Sequence, residues 1–203
     1  MLRIAIAALS QERAAAQRRR VFVWLAAIAV LVALVAAATA ELSARPSASA
    51  VADSLDDATI VAIFDAANAA DIETGLLAAQ RAQSKQVREY GAMLARDHQH
   101  VRKLGRDLAT KLGVTPTPPE DDAAARGYAE AIAALRTKTG ADFDRAFLQH
   151  EAAFHQSVID AVQTTLLPAI RNEELRALVV KVAPAFQAHM LAARNLEQQL
   201  ASQ

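Results

Sequence analysis

The chain contains no cysteine in 203 residues. That excludes disulfides, thiol redox chemistry, zinc–thiolate sites and anchoring through an acylated cysteine. Glycine is scarce, six residues in all, and none forms a phosphate-cradling loop; no serine sits in a nucleophile elbow. Ser157, Thr164 and Thr165 have no base partner that the sequence identifies. Aromatic residues make up 4%, and β-branched runs are confined to 21–35, so strands have little to be built from. Net charge is zero but divided: residues 1–50 carry six arginines against Glu12 and Glu41, which leaves the remainder mildly acidic. An acidic body without a basic patch is a poor partner for nucleic acid, whose phosphates must be neutralised.

What is present points to helices. The chain is 53% hydrophobic and rich in alanine, leucine, arginine and glutamine, all good helix formers, so the expected fold class is all-α. Residues 21–40 form an uncharged apolar run, long enough to span a bilayer as a helix and directly preceded by Arg18, Arg19 and Arg20. Basic residues stay on the cytoplasmic side, which places 41–203 outside the inner membrane, either free in the periplasm or anchored there. Both Ala38-Thr39-Ala40 and Ala48-Ser49-Ala50 fit a cleavage site, so the run reads equally as a signal peptide or as an uncleaved membrane anchor. The organisation expected is a basic leader (1–20), the apolar helix (21–40), a linker (41–55) and a helical domain (56–203).

Within that domain the apolar spacing predicts four long helices, about 56–81, 84–112, 141–166 and 173–200, with a shorter one at about 121–137. Ser54 with Asp57 resembles a capping box for the first, Gly113 closes the second, and Asn172 caps the last. Three histidines occupy slots where an apolar residue is expected. His98 lies between Leu94 and Val101, His150 between Phe147 and Phe154, and His189 between Phe186 and Ala193. A second stripe on the third long helix carries Glu151 and His155. Counting at 1.5 Å per residue from the turn near 170 puts His150, Glu151 and His189 at one height, with His98 and Glu73 near mid-length of the other hairpin. Asp97 flanks the His98 slot, and His100 points to solvent.

Buried imidazoles need partners. They bind one another and water, hold a small organic ligand, or converge on a metal, as side chains of facing helices do in bundles. The candidate ligands are His98, His150, Glu151 and His189, followed by Glu73 and His155, with Asp97 orienting a histidine. A histidine-rich set suits a divalent transition metal: zinc, iron, copper or nickel. The rival reading is a structural envelope protein whose polar cluster only fixes helix register. The apolar stripes also allow a homo-oligomer, although the core of the bundle itself explains them more simply.

Several words in the chain carry a resemblance: ADIETGLLA (70–78), REYGAMLARDH (88–98), KLGVTP (111–116), GADFDRAFLQHEAAFHQSVIDAVQTTLLP (140–168) and VAPAFQAHM (182–190). Through them residues 56–200 resemble the bacterial exported proteins grouped as "domain of unknown function 4142". The resemblance implies a ferritin-like four-helix bundle, exported and often described as outer-membrane or secreted. It also implies recurring polar positions at Glu73, Asp97, His98, His150, Glu151, His155 and His189. Ferritin-like di-iron sites use two Glu-x-x-His words; this chain has neither, which favours a single histidine-bound ion over a carboxylate-bridged pair.

Overall fold

A computed structural model describes residues 55–119 and 123–202. The apolar run at 21–40, its arginines and the linker up to residue 54 lie outside the described residues. Among the described residues no helix is long and apolar enough to cross a membrane.

All regular structure among the described residues is helical. Helix α1 spans Asp57–Arg81, α2 Lys85–Leu112, α3 Ala123–Arg136, α4 Gly140–Ala161 and α5 Glu173–Ala201. Between α4 and α5 the chain makes a π-turn, Val162–Leu166, and a short helical turn, Leu167–Ala169. The four long helices expected from the sequence are present within a few residues of their predicted ends. The third ends earlier as an α-helix because its last stretch widens into the π-turn.

The ends are set by local chemistry. Asp56, not Ser54, caps α1: its carboxylate accepts from the Thr59 amide at 2.7 Å. Gly113 closes α2 at φ 64, a left-handed conformation that costs glycine nothing. Asn172 Oδ1 accepts from the amides of Glu174 and Leu175 at the start of α5. The α5 helix continues through Pro184.

The long helices pack as α1 on α2, α4 on α5, α2 on α5 and α1 on α4, with α3 lying over α1 and α4. Two glycines let α1 and α2 approach closely. A Cβ at Gly75 would stand 2.6 Å from the Gly91 carbonyl oxygen, and a Cβ at Gly91 would stand 2.7 Å from that of Gly75. Two carboxylates tie the hairpins to each other. Asp57 accepts from the amides of Arg171 and Asn172 in the α4–α5 turn, both at 2.9 Å. Asp144 accepts from Gln83 and Ser84 in the α1–α2 turn at 2.8 and 2.7 Å.

The apolar core forms two lobes. One holds Ile60, Phe64, Val162, Leu175, Val179 and Phe186; the other holds Val87, Leu94, Phe143, Phe147, Leu148 and Ala193, closed by Ile132 and Leu135 of α3. Each fully buried large side chain contributes roughly 1.5–3 kcal/mol. Between the lobes lies a buried polar waist: Asn68, Asp71, Thr74, His98, Glu151, His155 and His189.

Candidate metal centre

All four long helices contribute to the waist. His98 from α2, His155 from α4 and His189 from α5 face one another with ring centroids 5.1–5.5 Å apart. One ring nitrogen from each lies within 4.8 Å of the other two. Phe186 stacks on the His98 ring at 5.8 Å and 16°, closing the apolar side. The Tyr90 hydroxyl donates to the His189 carbonyl at 3.0 Å and ties α2 to α5 beside the site.

The hydrogen bonds fix how each ring is protonated. Asn68 Nδ2 donates to the Phe64 carbonyl at 2.8 Å, which turns its Oδ1 toward His98. That oxygen accepts from His98 Nδ1 at 2.9 Å, so the proton sits on Nδ1 and Nε2 keeps its lone pair. His155 Nδ1 donates to the Glu151 carbonyl at 3.0 Å, leaving its Nε2 bare, buried and without a hydrogen-bond partner. His189 Nε2 faces the Asp97 carboxylate at 3.2 Å and donates to it, which leaves Nδ1 bare. His98 Nε2 and His189 Nδ1 then meet at 3.2 Å as two lone pairs. Two facing lone pairs repel unless a proton or a cation lies between them.

Burial holds the rings neutral. It lowers the pKa of His98, with His155 and His189 adding to the effect, and takes His155 down to about 3. His189 is also lowered by burial, partly offset by Asp97. The carboxylates move the other way. Burial and the charge of Glu151 push Asp71 well above its usual range, and burial pushes Glu151 up to about 7. Asp71 Oδ2 stands 3.4 Å from His98 Nδ1, and Glu151 Oε2 stands 3.5 Å from His155 Nδ1. Asp71 Oδ1 and both Glu151 oxygens have no hydrogen-bond partner.

The expected residues separate into two groups. His98, His155, His189, Glu151 and Asp97 are brought together. His150 is not: its ring lies half-buried against Phe154 and Tyr128, with centroids at 5.9 and 6.2 Å, under α3. His150 and His155 are ~140° apart around the helix, so only one can face the waist, and α3 covers the His150 side. Glu73 is also elsewhere: it is exposed and ion-paired with Arg136 of α3 at 2.8 Å. His100 is exposed, as expected.

Asn68 and Asp71 join the site without standing out in the sequence pattern. They lie one turn apart on α1 and alternate with Phe64 and Thr74 at helical spacing, a signal that was present. It was masked because apolar residues surround α1 on every side.

Comparison with known proteins gives two matches. The fold is similar to that of a solved structure described as "CopM in the Cu(II)-bound form". The TM-score is 0.56 at 17% identity, over 71% of this chain and 98% of that one. Among curated proteins nothing matches. Residues 40–196 match the family described as Domain of unknown function (DUF4142), which spans the entire waist. The chain therefore belongs to the DUF4142 family.

Proposed function

We propose that this protein binds a divalent transition metal through His98, His155 and His189. The observation that carries the reading is the outward anchoring of all three N–H groups. Asn68, the Glu151 carbonyl and Asp97 take one proton each, and three neutral lone pairs remain, one of them without a partner. Metal-bound histidines characteristically donate their other ring N–H to a carbonyl or carboxylate in this way.

The donor set fits such an ion. Tetrahedral ligation at about 2.0–2.1 Å needs nitrogens roughly 3.3 Å apart, and His98 Nε2 and His189 Nδ1 are 3.2 Å apart. Imidazole ligands suit copper, zinc, iron and nickel. The copper-bound state of the CopM structure makes copper the first to test. Bound there, the ion would supply a Lewis-acidic centre, redox-active for copper or iron, shielded from bulk water by Phe186 and the two lobes.

The arrangement is read as a ferritin-like bundle used for storage, buffering or protection from metal stress rather than for turnover. The basic leader and apolar run at 21–40 support a location outside the inner membrane, anchored or released. Asp97 is the most accessible member of the set, its side chain 44% exposed, and so lies on the route by which an ion would reach His189.

The test is metal content and melting. The purified protein is expected to take up one equivalent of copper or zinc and to melt higher than with chelator. His98→Ala and His155→Ala should lose the ion, while His150→Ala keeps it. A protein that stays metal-free, with melting unmoved by copper, zinc, iron or nickel, leaves only the register-fixing polar network.

A further inference from the structure

Asp71 and Glu151 take no part in the three-imidazole position. They approach His98 and His155 from the Nδ1 side, at 3.4 and 3.5 Å, whereas the bare nitrogens of those rings are Nε2. Both side chains are sealed, with residue exposures of 3% and 0%. Asp71 Oδ1 and both Glu151 oxygens have no hydrogen-bond partner. The basic groups that reach them are imidazoles whose Nδ1–H is already given to Asn68 and to the Glu151 carbonyl. Ionised together in a dry interior, two such carboxylates repel and are poorly solvated, so without a cation the pair holds a proton, in line with the upward shift of both. Ligand atoms of Asp71 and Glu151 lie within 4.8 Å of each other, close enough to reach one ion.

We propose that Asp71 and Glu151 form a second, oxygen-lined cation position behind the His98 and His155 rings, taking a hard divalent cation of the manganese type. Carboxylate oxygens favour such ions over copper or zinc, and a dication answers both carboxylates at once. The His155 ring stands between the two positions: its Nδ1 is 3.5 Å from Glu151 Oε2 and 3.9 Å from Asp71 Oδ1, and its Nε2 is the nitrogen left without a partner. The waist would thus hold two ions of different character on opposite sides of one ring.

The test uses the full chain loaded with one equivalent of zinc and then titrated with Mn(II), the free ion being followed by its six-line EPR signal. One Mn(II) per chain is expected to be withdrawn. Asp71→Asn and Glu151→Gln, which keep shape and remove charge, should each weaken that uptake at least tenfold with zinc content unchanged. Circular dichroism checks the fold of each variant, and Asp71→Asn alone decides if Glu151→Gln does not fold. Mn(II) remaining free in the parent, or withdrawn equally by a folded variant, overturns the proposal. If zinc is not taken up at all, the same titration on the metal-free protein decides. Uptake that depends on Asp71 then supports the carboxylate position while the three-imidazole reading fails.

Discussion

The smallest part with a large effect is the amide of Asn68. Anchored by the Phe64 carbonyl, it decides which nitrogen of His98 carries the proton. Asn68→Leu keeps the volume and removes the acceptor, so His98 loses its orientation. Metal affinity is expected to fall roughly 10–100-fold, the usual loss when such a supporting group is removed. Competition with a chromophoric chelator measures it, and unchanged affinity in a folded Asn68→Leu protein would refute the protonation scheme. Glu151 offers a second test at this scale, through pH. Its folded pKa, about 7, lies above the ordinary 4.5. Its contribution to stability is therefore complete below 4.5 and lost as pH rises through 7. In metal-free protein, Glu151→Gln should gain on the parent between pH 4.5 and 7 in urea unfolding; a gap that stays constant, or moves the other way, contradicts a neutral Glu151. The neutral imidazoles of His98 and His155 cost stability below about pH 6.5 in both proteins and cancel in the comparison; Asp71, held high in part by the charge of Glu151, is relieved in the variant and adds in the same direction.

At the scale of the element, the α1–α2 crossing depends on the absence of two side chains. In Gly91→Ala the new Cβ would meet the Gly75 carbonyl at 2.7 Å and the Ala79 amide nitrogen at 3.0 Å, both backbone atoms. Forcing the helices apart should cost roughly 1–3 kcal/mol, read as a lower melting temperature without metal. A variant as stable as the parent would mean the helices are not held that close. Helices were the most legible feature of this sequence, because periodicity, Gly113 and Asn172 report on the local chain. Facing was less legible. Glu151 and His155 share a stripe only ~40° apart, yet Phe143, Phe147, His150 and Phe154 form a more aromatic one beside it. What decides between the stripes is α3, whose Tyr128 lies 6.1 Å from Phe154 and leaves His155 to the waist. Counting height from the turn near 170 favours His150, 20 residues before it, over His155, 15 before it, as the match for His189, 19 after it; the count carries no information on facing. On α1 the inward residues Asn68 and Asp71 are polar, so apolar periodicity does not mark their face.

At the scale of the molecule, the two hairpins repeat one plan. Asp57 and Asp144 each bind two turn amides of the opposite hairpin. Ile60, Val61, Phe64 and Asn68 correspond in spacing to Phe147, Leu148, Glu151 and His155, all of them buried. The turn amides are displaced by one residue more than the aspartates, and the π-turn Val162–Leu166, which takes one residue more than an α-turn, lies in that interval. The waist falls where the hairpins meet, so neither half contains a complete site. The reciprocal carboxylates also bear on how the protein assembles. Each hairpin carries the clasp for the other's turn and cannot fasten its own. Residues 41–119 and 120–203 produced as separate chains should therefore be unfolded alone and should associate one to one when mixed. Helical dichroism and size-exclusion chromatography would show this, and Asp144→Ala should weaken the association. A half that folds by itself would show that the clasps are ornamental; halves that need each other would make this a protein that can be cut in its connector and reassembled.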